Sequence, residues 1–314
     1  MKDDENIVAI TFTNAAADEM KERIGQTSKK LFIGTIHSYA NQLLRRAGID
    51  TSKILDDEDF DELFELIQKY PRCLEPVTYL LVDEFQDINE QQYSFFDMVQ
   101  PTNFFVVGDD NQCIYGFRGS NINFFFDMYD DPLTKVYYLE NNYRSGYNIL
   151  SFAAKFLRHL SHKIPKKIVP KIEDRGDVNT FGDNNFNFFI NQILKEENYK
   201  DWFILTRTNA QVDEFILDLQ RRSIPCDTFK KGDLNSGELE KKLKENTVKV
   251  LTAHSAKGLE NENVVVYGLI PYNDDEARLC YVAATRAKHQ LIWYFTIGRD
   301  KYKKKSRYST RTWE

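Results

Sequence analysis

Leu80-Leu81-Val82-Asp83-Glu84-Phe85-Gln86-Asp87 is the stretch on which the fold turns. The short apolar run Tyr79–Val82 reads as a strand buried on both faces, and such strands belong to parallel sheets covered by helices. The run ends abruptly in acid. Open parallel sheets hold their ligands at the carboxyl ends of the strands, so Asp83 and Glu84 stand where chemistry is expected. The pattern recurs on both sides. Ile7–Thr13, Leu31–Thr35 and Phe104–Val107 are similar short runs. Helical spacing lies between them at Ala15–Ile24 and His37–Ala47, and one amphipathic helix is expected over Leu55–Lys69. The turn signal Asp130-Asp131-Pro132 breaks the series. Strands are then expected at Lys135–Leu139, Val178–Phe181, Trp202–Thr206, Val248–Thr252, Asn263–Tyr267 and Gln290–Phe295. Helices are expected at Ala210–Arg222 and Asp274–Lys288, with Lys163–Asp177 as an exposed connection. The expectation is an α/β chain of two tandem lobes with parallel sheets, residues 1–130 and 131–298, followed by a basic tail at 299–314.

Of the 314 residues, 42% are apolar and 14% aromatic, enough for two cores of ordinary size. The net charge of −6 excludes a uniformly basic nucleic-acid binder. It does not exclude a groove for a single strand, which needs only local cations and stacking aromatics. The tail concentrates Lys301, Lys303, Lys304, Lys305, Arg307 and Arg311, as either a solvated segment or a backbone-contacting one. No apolar run reaches the roughly 18 residues of a membrane span, so no membrane association is expected. Met1-Lys2-Asp3-Asp4-Glu5-Asn6 is too acidic for a secretory signal. Cys73, Cys113, Cys226 and Cys280 have no metal-ligand or redox spacing, which fits reduced thiols in a cytoplasmic protein.

Asp followed by Glu at a strand end is how many nucleotide hydrolases set a Mg²⁺ ligand beside a water-orienting base. Asp83 takes the first role on this reading and Glu84 the second. The next strand end, Val107-Gly108-Asp109-Asp110-Asn111-Gln112-Cys113-Ile114-Tyr115-Gly116-Phe117-Arg118-Gly119, puts an amide, two aromatics and an arginine on one loop. Gln112 suits a sensor of the γ-phosphate, and Tyr115 and Phe117 suit stacking on unpaired bases. Taken singly, each also has a structural reading: acids close many strands, and loop aromatics often pack in cores.

Taken together and in order, the motifs resemble the UvrD/Rep/PcrA family of superfamily 1 DNA helicases. Thr11-Phe12-Thr13-Asn14-Ala15-Ala16-Ala17-Asp18-Glu19-Met20 and Gly34-Thr35-Ile36-His37-Ser38 resemble that family's first two DNA-contacting motifs. The Asp83–Asp87 and Gly108–Gly119 segments resemble its Walker B and coupling motifs, and Leu139-Glu140-Asn141-Asn142-Tyr143-Arg144-Ser145 the motif that opens its second lobe. Leu251-Thr252-Ala253-His254-Ser255-Ala256-Lys257-Gly258-Leu259-Glu260 and Leu279-Cys280-Tyr281-Val282-Ala283-Ala284-Thr285-Arg286-Ala287-Lys288 resemble the last two. The resemblance implies two RecA-like lobes that use ATP and Mg²⁺. It implies catalytic roles for Glu84, Gln112, Arg144 and Arg286, the two arginines supplying positive charge to the γ-phosphate from the second lobe. Tyr143 would stack on adenine, Gly258 would admit close backbone approach to the phosphates, and Glu260 would accept from the ribose. Phe12, Thr13, Asn14, Thr35, His37, Tyr115, Phe117, Arg118, Thr252 and His254 would line a track for single-stranded DNA.

The chain departs from that pattern in one main respect. A phosphate loop needs glycine-rich backbone opening a helix and closing on Lys and Ser/Thr, and no Gly-Lys pair occurs in the 314 residues. The stretches His37–Asp83 and Arg144–His254 are also too short for the family's large accessory insertions. Ala15 stands where Lys is frequent, and Cys113 where Ser is usual. The expectation is therefore an ATP-dependent helicase or translocase of 3′→5′ polarity whose first lobe is N-terminally incomplete. Such a chain would be weak or inactive by itself, as either a gene fragment or one part of a split gene whose separate partner chain supplies the phosphate loop. The alternative is an ATPase-inert single-stranded-DNA-binding or regulatory subunit. A helicase–nuclease fusion finds no nuclease segment after the last motif.

Overall fold

The computed structural model describes residues 6–25, 30–57, 59–182, 187–193, 195, 198–229 and 236–295; the basic tail lies outside them. The chain divides into two compact units at Thr134/Lys135. At the turn before that division Asp131 accepts from Leu133 N at 2.8 Å through its side chain and from Thr134 N at 2.9 Å through its carbonyl.

The first unit carries strands β1 (Ile7–Thr11), β2 (Leu31–Thr35), β3 (Tyr79–Val82) and β4 (Asn103–Val106), all parallel, in the order β2-β1-β3-β4. Its helices are α1 (Asn14–Ile24), α2 (Ile36–Arg46), α3 (Ser52–Asp56), α4 (Glu62–Lys69), α5 (Glu90–Val99) and α6 (Asn123–Asp130). Side chains alternate across the sheet. Val8, Ile10, Leu80 and Val82 point to one face and pack with α2, α4 and α5 in the larger core. Ala9, Ile33 and Leu81 point to the other and cluster with Leu31 and with Ala17 and Met20 of α1. The single helix expected over Leu55–Lys69 is instead two, α3 and α4. Acidic residues from Asp56 to Glu62 explain the break, since negative charge opposes the dipole at the end of one helix and favours it at the start of the next.

The second unit has a six-stranded parallel sheet. Its strands are β7 (Asp177–Phe181), β8 (Trp202–Thr206), β9 (Cys226–Asp227), β10 (Val248–Thr252), β11 (Asn261–Tyr267) and β12 (Ala287–Tyr294), in the order β7-β12-β11-β8-β10-β9. β8 is buried at all five positions, as its unbroken apolar run demands of an interior strand. Around the sheet run α7 (Tyr147–Phe156), α8 (Asn187–Ile193), α9 (Asn209–Arg221), α10 (Ser236–Lys244) and α11 (Asp274–Ala284). A small pair, β5 (Asn141–Asn142) with β6 (Val169–Pro170), stands apart.

Two expectations are corrected here. Lys135–Leu139 forms no strand: no described strand pairs with it, and Leu139 is 95% exposed. Apolar β-formers without a ladder do not make a strand. The helix expected to reach Lys288 stops at Ala284, because Ala287 pairs with Asn261 and Gln290 with Asn263. Sheet pairing outweighs the helical propensity of Ala-Thr-Arg-Ala-Lys.

Candidate functional site

In the first unit the predicted residues lie at or just after the carboxyl ends of β1, β2, β3 and β4. Asp83 N donates to Ile10 O at 2.9 Å, and Asp83 Oδ1 accepts from Glu84 N at 2.9 Å. Glu84 adopts a left-handed backbone, φ 54°, a conformation that costs a non-glycine residue on the order of 1–2 kcal/mol. The next amide, Phe85 N, is secured to Val107 O at 3.0 Å, which holds the turn in place.

From Glu84 a hydrogen-bonded chain crosses to the neighbouring loop. Gln86 Nε2 donates to Glu84 Oε2 at 2.6 Å, Asp109 N donates to Gln86 Oε1 at 3.0 Å, and Gln112 Nε2 donates to Asp109 Oδ2 at 2.7 Å. Gln86 is fully buried. Gly108 leaves room for it: a Cβ there would lie 2.5 Å from Gln86 Oε1. Sequence reasoning passed over Gln86. The available signal was an amide two residues beyond a candidate base, and its use as a bridge depends on tertiary contact.

The same loop then carries the aromatic residues. Phe12, just after β1, stacks with Tyr115 at 5.9 Å between centroids and 7° between planes. Tyr115 meets Phe117 at 6.1 Å, and the Arg118 guanidinium lies 5.5 Å from the Tyr115 ring and 5.6 Å from that of Phe117. Phe117 is 68% exposed. Ser120 Oγ donates to Asp87 O at 2.6 Å and Asn121 N to Ile88 O at 3.0 Å, so the far end of the loop is tied to the turn after Glu84.

Thr13 and Thr35 cap helices. Thr13 Oγ1 accepts from Ala16 N at 3.2 Å and Thr35 Oγ1 from Ser38 N at 3.3 Å. Asn14 is exposed beside Thr13. His37 packs on Phe64 and Phe60, with ring centroids 5.3 and 5.6 Å away. Burial pushes its pKa below the ordinary 6.5, against the opposing pull of Asp61. The unfolded chain therefore binds a proton more readily than the folded one, and stability falls as pH drops through 6.5. Comparing thermal unfolding of wild type and His37→Phe at about pH 7.5 and 5.5 checks this. The acid-induced loss is expected to be smaller in the variant; an equal loss would place its source elsewhere.

In the second unit, Asn142 Oδ1 accepts from Arg144 N at 3.0 Å and Ser145 N at 2.9 Å, shaping the turn that presents Tyr143, 71% exposed. Buried Ser145 Oγ donates to Ala287 O at 2.6 Å. Arg144 Nε donates to Glu260 Oε2 in an ion pair. Lys288 Nζ lies 3.2 Å from Glu260 Oε1 and 3.3 Å from Glu262 Oε1. Burial alone would raise the Glu260 carboxyl, but Arg144 and Lys288 outweigh it and hold the group below the usual carboxylate range. Lys288 is a second residue that sequence reasoning left without a role.

Gly258 is left-handed, φ 76°, just ahead of Glu260. Thr252 Oγ1 donates to Ser255 Oγ at 2.9 Å at the end of β10, and His254 is half-buried on the turn that follows. Arg286, expected to supply charge to a γ-phosphate, is directed into the second unit's own interior. It is 1% exposed, with Nε on Val282 O at 2.9 Å, Nη1 on Leu259 O at 3.1 Å and Nη2 on Thr285 Oγ1 at 3.1 Å. In this arrangement it braces the Gly258–Glu260 turn through Leu259 O, because a buried guanidinium must satisfy its donors on nearby oxygens, here two carbonyls and a hydroxyl.

No group of three or more His, Cys, Asp or Glu side chains forms a metal cage among the described residues. No helix among them is long and apolar enough to cross a membrane.

Two tandem α/β units with parallel sheets, and polar residues at the strand ends, define the RecA-like class. The chain belongs to the UvrD-like helicase family: the UvrD/REP helicase N-terminal domain matches residues 2–72 and 59–132, and the UvrD-like helicase C-terminal domain matches 137–234 and 229–296. A probable DNA helicase of Mycoplasma pneumoniae is 30% identical over 312 residues, 90% of this chain and 56% of that protein. The ATP-dependent DNA helicase PcrA of Leuconostoc citreum is 28% identical over 70% of this chain and 43% of its own length. The ATP-dependent DNA helicase Rep of Buchnera aphidicola is 32% identical over 54% of this chain and 29% of its own. The chain thus spans about half the length of the first two relatives.

Proposed function

We propose that this chain is the motor core of an ATP-dependent DNA helicase or translocase of the UvrD/Rep type, moving 3′→5′ on single-stranded DNA. One observation carries the reading. The loop 109–118 ends the hydrogen-bonded chain from Glu84 at Gln112, and three residues later begins the Phe12, Tyr115, Phe117 and Arg118 cluster. A change at the nucleotide side of that loop moves the base-stacking side with it.

Asp83 would hold Mg²⁺ and Glu84 would orient the attacking water. Mg²⁺ supplies charge neutralisation to the phosphates when bound. Arg144 and Arg286 would face the γ-phosphate, Arg286 only after exchanging its bonds to Val282, Leu259 and Thr285. Tyr143, Gly258 and Glu260 would receive the nucleoside and phosphates. Phe12, Thr13, Asn14, Thr35, His37 and the loop aromatics would take the strand in the first lobe, with Thr252 and His254 in the second. These 314 residues by themselves turn over ATP weakly or not at all, since no Gly-Lys pair occurs in them, and a phosphate loop supplied from a longer form of the chain or from a separate one restores turnover.

The same absence favours a second reading, an ATPase-inert single-strand-binding subunit. Titrating a labelled oligonucleotide with and without ATP and Mg²⁺, the phosphate-loop segment being supplied, separates the two. A motor changes its DNA affinity with nucleotide and hydrolyses ATP faster with DNA; an inert subunit does neither. Phe117→Ala is expected to weaken strand binding by roughly 1–3 kcal/mol, about 5- to 150-fold. Unchanged affinity would remove the aromatic cluster from the DNA track.

A further inference from the structure

β12 opens on an irregularity that sets two residues against one. Ala287 pairs with Asn261 and Gln290 with Asn263, so Lys288 and His289 together stand opposite Glu262. Successive side chains of a regular strand point to opposite faces, and an extra residue re-aims one of them. Here both reach the same carboxylate: Lys288 Nζ lies 3.3 Å from Glu262 Oε1, and His289 Nε2 lies 2.9 Å from Glu262 Oε2. His289 Nδ1 is held in turn by Asp174. So anchored, Lys288 Nζ sits 3.2 Å from Glu260 Oε1, while Arg144 takes Glu260 Oε2. The bulge begins at Ala287, whose carbonyl accepts from Ser145 beside Arg144.

Glu260 thus has a cation on each oxygen, and the two are not equivalent. Arg144 has a second task in the proposed mechanism, since it leaves Glu260 to face a γ-phosphate. Glu260 has to stay charged and oriented to receive the ribose. Taking the cation away from a partly desolvated carboxylate is costly, so Arg144 and Glu260 as a lone pair would form a latch against nucleotide. Lys288 lowers that cost. It is fastened from behind by Glu262 and stays when Arg144 goes. A compact ammonium can also shift toward the vacated oxygen with no planar fork to realign. The two cations together hold the Glu260 carboxyl below the usual range against the effect of burial.

We propose that Lys288 is a positioning residue of the nucleotide site, the reserve cation that keeps Glu260 paired and in place once Arg144 has left it. The bulge in β12, with Glu262 and His289 behind it, is the device that holds Lys288 ready. The inference rests on the roles given above to Arg144 and Glu260, and adds to them a residue with no assigned contact.

The test has two arms. In the whole 314-residue chain, NMR of carboxyl-labelled glutamate follows the titration of Glu260, its signal identified by its loss in Glu260→Gln. Arg144→Ala and Lys288→Met should each raise the midpoint slightly, and the two together by more than the sum of the separate shifts. Additive shifts overturn the proposal, because neither cation then stands in for the other. The second arm is steady-state ATP hydrolysis with the phosphate-loop segment supplied. Lys288→Met should lower kcat about tenfold with KM for ATP within about twofold, an effect between those of breaking an exposed and a buried ion pair. Lys288→Arg should keep most of the rate. Adding Glu260→Gln to Lys288→Met should return kcat to that of Glu260→Gln alone, since no carboxylate is left to retain Arg144. A loss that Glu260→Gln does not relieve overturns the proposal and makes Lys288 a structural residue. Lys242→Met, which breaks a pair of similar exposure with Asp227, should change neither readout; circular dichroism and melting verify that each variant is folded. More-than-additive shifts without hydrolysis by wild type keep Lys288 in its role toward Glu260 and remove the motor; additive shifts with DNA-stimulated hydrolysis do the reverse.

Discussion

Glu84→Gln is expected to lower DNA-stimulated ATP turnover about 10²- to 10⁴-fold in protein supplied with the phosphate-loop segment, the range for losing a positioned general base. The substitution is nearly isosteric and keeps an oxygen able to accept from Gln86 Nε2, now 2.6 Å from the carboxylate. The link to Asp109 and Gln112 is therefore retained, and single-strand affinity should stay within about twofold of wild type, well below the effect of losing a stacked base. Steady-state hydrolysis and a DNA titration on the same sample check both halves. Turnover that survives the change would take Glu84 out of the catalytic role. Loss of DNA binding in parallel would mean that the carboxylate shapes the loop instead of acting on water.

Gly146→Ala is expected to destabilise the second unit by about 3 kcal/mol, at the upper end for overpacking. A Cβ at this position would lie 2.3 Å from Arg175 C, 2.4 Å from Arg175 O and 2.5 Å from Asp174 O. These are backbone atoms and cannot swing aside as a flexible side chain would. For a unit of this size the loss corresponds to a melting temperature lower by roughly 6–12 °C. The damage falls where function is proposed, because Gly146 follows the Tyr143–Ser145 turn and Asp174 holds His289 through Nδ1. Gly48→Ala serves as the contrast: φ is 77° but no atom lies within 4 Å of the added Cβ, so only about 1 kcal/mol of backbone strain is expected. Equal melting of the two variants would contradict the steric account.

The arrangement of these sites was legible in unequal measure. Strand ends rich in polar residues were visible because parallel strands are unbroken apolar runs, and Leu80-Leu81-Val82 followed by Asp83-Glu84 marks its own boundary. Leu31–Thr35, Tyr79–Val82, Trp202–Thr206 and Val248–Thr252 were read to the residue. Periodicity failed where a partner decides. Lys135–Leu139 has strand composition but no ladder, while Ala287–Lys288 has helix composition and joins β12. Motif order identified the family, and membership follows from matches across both units.

By itself the sequence determined the fold class, the family and the absence of a Gly-Lys phosphate loop, all carried by local residue order. Tertiary structure alone decided which of those residues meet. Phe12 and Tyr115 stack across more than a hundred positions of chain because β1 and the loop after β4 end on the same side of one sheet. Gln86 becomes a bridge only because Gly108 leaves space for it. Arg144 is paired with Glu260, and Arg286 is turned inward onto carbonyls, by packing that no motif encodes.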